Sequence, residues 1–327
     1  MFFINIILFL YLIFFPIEAY GKDRLTVYTY RSLTNNNELG ELLKREFEKI
    51  CNCEIIFSTS DDSLSLLNRL YIEKNKNYAD VVLGLEYNII NLKNIEQFFC
   101  SYNYKEFEKI YFKKKIKSNF FLPYDYGYFS FIYNKKKNHN LTKNFFEFIK
   151  NKDFSISYPD PRLSTIGLDF LLWIKKIYKN NYKEAIFYLS KKRSIITKNW
   201  GESYNLFLNG EIDFVFSYTT SPIFHIIEEN NSNYDYIDFN EGHYVQFEVV
   251  GISKNSKNYI LSKKFIKFLL SDYIQNKILF VHWMNPIVKN KFNKINNPKK
   301  EIKIFNPLEV SKIYYELIKI WKRNIFF

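Results

Sequence analysis

LPYDYGYFSFIYN, residues 122–134, decides the fold. It reads as one long aromatic strand with Gly127 inside it, and a strand of that length crosses from one domain to another. Ahead of it, RLTVYTY (24–30) alternates as a strand, and Leu39, Leu42, Leu43, Phe47 and Ile50 share one helical face. EIIFS (54–58) is a second strand, Leu64, Leu67 and Leu70 mark a second helix, and ADVVLGL (79–85) is a buried strand. The order is βαβαβ, and ligands of such open sheets bind beyond the carboxyl ends of the strands.

Behind the long strand the alternation repeats. SISYPDPRLSTIG (155–167) leads into a helix whose apolar stripe is Leu168, Leu171, Leu172 and Ile174, with Trp173 on an apolar face as core. EGHYVQFEVVGIS (241–253) reads as a return crossing, and the tail as helical over 261–279 and over 308–322, with HWMNPIV (282–288) between. At 327 residues the chain is long enough for two α/β domains of roughly 150 residues each, and two domains make a cleft.

One stretch reads as half of a clamp in that cleft: NWGESYNLFLNGEIDFVFSYTTSP, residues 199–222. A helical period runs from Trp200 to about residue 208, a turn follows at Asn209-Gly210-Glu211, and a short strand ends in SYTTSP. Pro222 suits the first position of a new helix, and Thr219, Thr220 and Ser221 suit its cap. Free backbone N–H groups at such a helix start favour an anionic group. Ser164 and Thr165 give a second hydroxyl-rich helix start.

The chain carries 47 Lys+Arg against 34 Asp+Glu, a formal charge of +13. The lysines are scattered along the whole sequence, so the excess reads as solvated surface and not as a nucleic-acid footprint. With 34 Phe and 27 Tyr a given ring is core, whereas the four Trp and nine Gly stand out. Residues 1–19 read as a signal peptide, an apolar run followed by Pro16 and a small residue, Ala19; the missing basic segment leaves an uncleaved anchor as the competing reading. Of Cys51, Cys53 and Cys100, one is left over if any bridge forms; a Cys51–Cys53 bridge spans a single residue, and the alternative is small buried thiols. His139, His225, His243 and His282 stand at no metal-ligand spacing, so no metal is expected. No nucleophile elbow, P-loop or Ser/His/Asp order is visible, and no enzyme is expected.

With TVYTY, CNCE, SLLNRL, ADVVLGL, PYDYGYF, the DPR and ST around residue 162, the 199–222 stretch, EGHY and WM placed in this order, the chain resembles the periplasmic thiamine-binding proteins of bacterial thiamine ABC transporters. The resemblance covers nearly all of the chain after the signal. It implies a two-lobed type II substrate-binding fold, each lobe a mostly parallel sheet flanked by helices, with lobe 1 over 20–128 and 248–327 and lobe 2 over 129–247. It further implies a monomer that captures thiamine, thiamine monophosphate or thiamine diphosphate and delivers it to a membrane permease driven by an ATPase. The family's ligand positions fall on Tyr30, Asp62, Ser63, Ser164, Thr165, Trp200, Tyr218, Thr219, Thr220, Ser221 and Trp283. Ser63 stands where a glycine is usual, Arg31 where an acid can follow the tyrosine, and Phe224 where a tyrosine can sit. Among these, the indoles and phenols can face the thiazolium cation, Asp62 is the candidate partner of the cation or amino group, and the two helix starts suit the hydroxyethyl or phosphate end. The same fold would also serve ferric ion, a polyamine or another small solute.

Overall fold

A computed structural model describes residues 22–35, 38–102, 116, 118–137, 141–288 and 297–326; the expected signal peptide, 1–19, lies outside them. Three parallel strands open the chain: β1 (Asp23–Tyr30), β2 (Cys53–Ser60) and β3 (Val81–Glu86), connected by α1 (Leu39–Cys51) and α2 (Ser63–Glu73). The long strand forms as read, as β4 (Leu122–Asn134). It is followed by α3 (Phe145–Lys150), β5 (Ile156–Pro159), α4 (Thr165–Tyr178), α5 (Tyr182–Lys191), β6 (Ser194–Thr197) and α6 (Trp200–Leu208). Then come β7 (Phe214–Tyr218), α7 (Ser221–Glu228), β8 (Tyr234–Tyr236), β9 (Val245–Ile252), α8 (Tyr259–Leu269), α9 (Asp272–Val281), β10 (Asn285–Pro286) and α10 (Pro307–Phe326).

The main sheet runs β2-β1-β3-β9-β4-β7-β5-β6. Its ends are parallel, and its middle is the antiparallel pair β4 and β9. From Leu122 to Tyr128, β4 pairs with β9; from Phe129 onward it pairs with β7. One strand therefore changes partner half-way and belongs to both halves of the molecule. Both crossing strands are buried on both faces, apart from the last two residues of β4, as near-continuous apolar runs require.

Local chemistry sets the breaks. The tail segment read as helical over 261–279 is two helices, because Ser271 N-caps α9 by accepting from the Ile274 amide. Cys51 and Cys53, the end of α1 and the start of β2, are disulfide-bonded around Asn52 in the left-handed conformation (φ 51°), and Cys100 is a free, half-buried thiol. Trp173 is fully buried and its indole N–H donates to the Gly242 carbonyl. The last helix touches both halves: it packs against the turns after β3, while the Trp321 indole donates to the Tyr158 hydroxyl of β5. No helix of the described residues is long and apolar enough to cross a membrane.

Candidate functional site

The carboxyl ends of the strands meet where β4 and β9 cross. Tyr30 ends β1, and its hydroxyl donates to Glu248 Oε2 at 2.8 Å and lies 3.0 Å from His282 Nε2. Its ring rests on Gly84, which sits at a bulge with φ +89°; a Cβ there would lie 2.3 Å from the Tyr30 ring, so only glycine fits. Tyr218 ends β7, stacks on Phe129 at 4.8 Å and donates to Gln246 Oε1.

The hydroxyl cluster after β7 joins the two tryptophans. The Trp200 indole donates to Ser217 Oγ (2.9 Å), which lies 2.8 Å from Ser221 Oγ. Thr220 Oγ1 donates to the Trp283 carbonyl at 2.5 Å. Trp283 has φ 57° and meets Phe224 edge-on at 5.1 Å. Both indoles are half-buried, flanking one turn, while Thr219 and Thr220 are fully buried and Ser221 nearly so. Pro222 sits in the first turn of α7, and the Ser164 and Thr165 start of α4 is likewise buried. Against expectation neither Thr220 nor Ser164 caps its helix through its side chain, and the hydroxyls after β7 bond instead to Ser217 and to the Trp283 carbonyl.

Asp62 has a role that its position beside Asp61 did not reveal. It N-caps α2: Oδ1 accepts from the Ser65 amide at 2.9 Å while Ser65 Oγ accepts from the Asp62 amide at 2.8 Å. Burial pushes its carboxyl above the usual range, with the Ser65, Leu64 and Thr165 backbone amides acting in the opposite direction. Ser63 is buried and its Oγ accepts from the Glu86 amide at 2.7 Å.

Two groups of buried acids lie beneath these side chains and were not singled out as site residues from the sequence. In the first, Asp125 of β4, Glu248 of β9 and His282 bring ligand atoms within 4.8 Å of one another. His282 Nε2 is 3.4 Å from Asp125 and 3.5 Å from Glu248, and Tyr124 also donates to Glu248. Burial works against the imidazolium, but hydrogen bonding to Glu248 and Glu38 and the charge of Asp125 push its pKa up to about 10. The cluster thus carries its own cation. In the second, Glu86 at the end of β3 faces Asp169 of α4 from the opposite half; burial pushes both carboxyls up, Asp169 to about 8. Asn88 donates to Asp169 Oδ1 at 3.1 Å. Tyr218 lies between the groups, its phenol pushed far up by burial and then by Glu248, Asp169, Glu86 and Asp125.

The signal available in sequence was an acid inside an apolar run: Asp125 within PYDYGYF, Glu248 within VQFEVV, and Asp169 between Leu168 and Phe170. The arrangement offers flat rings and hydroxyls over a floor of four buried carboxyls, which suits a small ligand with a positive group.

Residues 45–285 match the family of bacterial extracellular solute-binding proteins. The thiamine-binding periplasmic protein of Salmonella typhimurium is 39% identical over 312 residues, covering 94% of this chain and 95% of that relative. The chain belongs to this solute-binding family. A solved periplasmic thiamin binding protein superposes with a TM-score of 0.86 at 38% identity, covering 93% of this chain and 96% of that one. The iron-bound HitA of Pseudomonas aeruginosa shares the fold, with a TM-score of 0.74 at 16% identity and coverage of 92% and 99%. The two-lobed type II architecture that the resemblance implied is therefore the fold of this solute-binding protein.

Proposed function

We propose that the protein captures thiamine, with its phosphate esters, in the periplasm and hands it to an ABC permease and its ATPase, working as a monomeric carrier and not as an enzyme. The observation that carries this reading is the pairing of two half-buried indoles with one hydroxyl-lined turn, at positions to which the resemblance assigns a ligand role. Trp200, Trp283, Tyr30 and Tyr218 supply π-faces worth roughly 0.5–2 kcal/mol each toward a cation. Micromolar capture requires about 8 kcal/mol, so ring burial and lobe closure supply the remainder. The helix starts at Ser164-Thr165 and Thr219-Ser221 serve the hydroxyethyl or phosphate end.

The division we propose is supported by the strand pairing: β4 leaves β9 for β7 after Tyr128, and β9, paired with β4 from Val245, also pairs with β3 from Glu248. On this reading lobe 1 would be 20–128 and 248–327 and lobe 2 would be 129–247, with α10 resting on both.

Titrating thiamine into the mature chain tests this. Saturable quenching of tryptophan fluorescence with calorimetric heat is expected, and Trp200→Ala should weaken binding by roughly tenfold or more, the scale of one lost cation–π face and its hydrogen bond. A flat titration with thiamine and both esters, against heat with ferric ion, overturns the reading in favour of another solute of the same fold.

A further inference from the structure

Glu86 and Asp169 come from opposite halves of the molecule, one at the end of β3 and one on α4, and neither side chain is exposed at all. Asn88 satisfies Asp169 Oδ1. Both Glu86 oxygens and Asp169 Oδ2 are buried without a hydrogen bond of ordinary geometry among the described residues, and the only donors that act on Glu86 there are the neutral amides of Asn88. No Lys, Arg or His hydrogen-bonds either carboxyl there. Two ionised carboxylates cannot be held together in this way, because both are acceptors, both are charged, and leaving them buried and unsatisfied costs several kcal/mol. A proton between them removes one charge and supplies the missing donor.

We propose that Glu86 and Asp169 are a proton-dependent clasp that positions the closed state: the two carboxyls meet when the lobes shut over the ligand, and shutting draws one proton from solution to lie between them. The groups that face them fit this role. Asn88 and Ser63 are neutral, and the Tyr244 and Tyr218 phenols are pushed far above their ordinary range by burial and remain protonated. Glu309, Glu248 and Asp125 act on those phenols and add only negative charge. His282, the nearest titrating cation of the site, is held by Glu248, Glu38 and Asp125 within the first half, so its proton is already in place before closure.

The sign follows from linkage. Open, the two carboxyls titrate near the ordinary value of about 4; closed, Asp169 rises to about 8. Closure is therefore favoured as pH falls and is progressively lost as pH rises from about 4 to about 8.

The clasp rests on the thiamine reading for its trigger, so the test separates the two. Thiamine is titrated calorimetrically into the full mature chain at pH 6.0, 7.0 and 8.0, in phosphate and in Tris, whose ionisation enthalpies differ. The wild type should take up about one proton per thiamine at pH 6.0 and about half of one at pH 8.0, its Kd rising about tenfold from pH 6.0 to 7.0 and about fivefold from pH 7.0 to 8.0. In Asp169→Asn the amide supplies the donor, so uptake should vanish and the pH slope should flatten to less than about twofold per unit; Glu86→Gln should do the same. Thiamine binding without proton uptake, or undiminished uptake in both variants, overturns the clasp and leaves the function intact. If thiamine produces no heat at all, small-angle scattering of the ligand-free chain decides. A wild type more compact at pH 5.5 than at 8.5, with no such change in Asp169→Asn, supports the clasp; equal dimensions at both pH values refute it.

Discussion

The two buried acid groups of this protein solve one problem in different ways. Asp125 and Glu248 lie on neighbouring crossing strands, within one half of the molecule, and share the His282 imidazolium, while Glu248 alone also accepts from two tyrosine hydroxyls. Glu86 and Asp169 face each other across the halves with only an amide for company. A cation and hydroxyl donors held by the fold make the first group permanent. The second, lacking such a cation, depends on what comes from outside, a proton or the approach of the other lobe. Buried charge within a lobe is thus structural, and buried charge between lobes is conditional.

The comparison breaks most directly at Glu248. It accepts from Tyr30 and Tyr124 and faces His282, so Glu248→Ala strands an imidazolium beside a lone Asp125 and frees two buried hydroxyls. A loss of roughly 3–5 kcal/mol of unfolding free energy is expected in chemical denaturation, the scale for removing one partner of a buried ion pair. A loss below about 1 kcal/mol would place Glu248 among the dispensable charges of the surface.

A smaller effect separates the groups by pH. His282 has a folded pKa raised to about 10, so the stability it contributes is fully present below its unfolded value of about 6.5 and is lost as pH rises through 10. Asp169, raised to about 8, loses its contribution in a lower window, from about 4 to about 8. Denaturation curves of wild type and His282→Gln should therefore converge between pH 7 and 10, whereas wild type and Asp169→Asn should diverge between pH 5 and 8, with the variant the more stable at the upper end. Parallel pH profiles for the three proteins would mean that the two groups titrate together.

How much of this could be read from the chain alone follows from what each feature depends on. The crossing strand over 122–134 was legible because thirteen residues of one period leave little choice, and the helix after SYTTSP was legible because proline suits a first turn, although the hydroxyls expected to cap it make no capping hydrogen bond and serve Ser217 and the Trp283 carbonyl instead. The acids were harder. Asp125 and Glu248 are 123 residues apart by their numbers, and Tyr30, which donates to Glu248, is 218 residues from it, so nothing in the spacing announces the cluster. Asp169 sits in a run that reads as a buried helix face, and its partner ends a strand 83 residues earlier by number; only the tertiary structure makes a pair of them. The division of Leu261 to Leu279 into two helices was missed because Ser271 looks like an ordinary polar position until its hydroxyl is seen at the Ile274 amide.

The smallest expected effect belongs to Asp62, the one acid of the site already engaged by a helix end. Replacing it with alanine removes one reciprocal pair of hydrogen bonds at the start of α2, worth about 1 kcal/mol of stability. It also removes a partly desolvated carboxyl from the cleft wall near Thr165. If the cap is its whole purpose, Asp62→Asn should restore both the stability and the thiamine affinity, since asparagine caps as well as aspartate. If the charge also meets the ligand, Asp62→Asn should restore stability but leave thiamine affinity about tenfold down, the scale of one charge-assisted contact. Measuring both quantities on the two variants therefore decides whether a fifth acid, outside both buried groups, takes part in holding the cation.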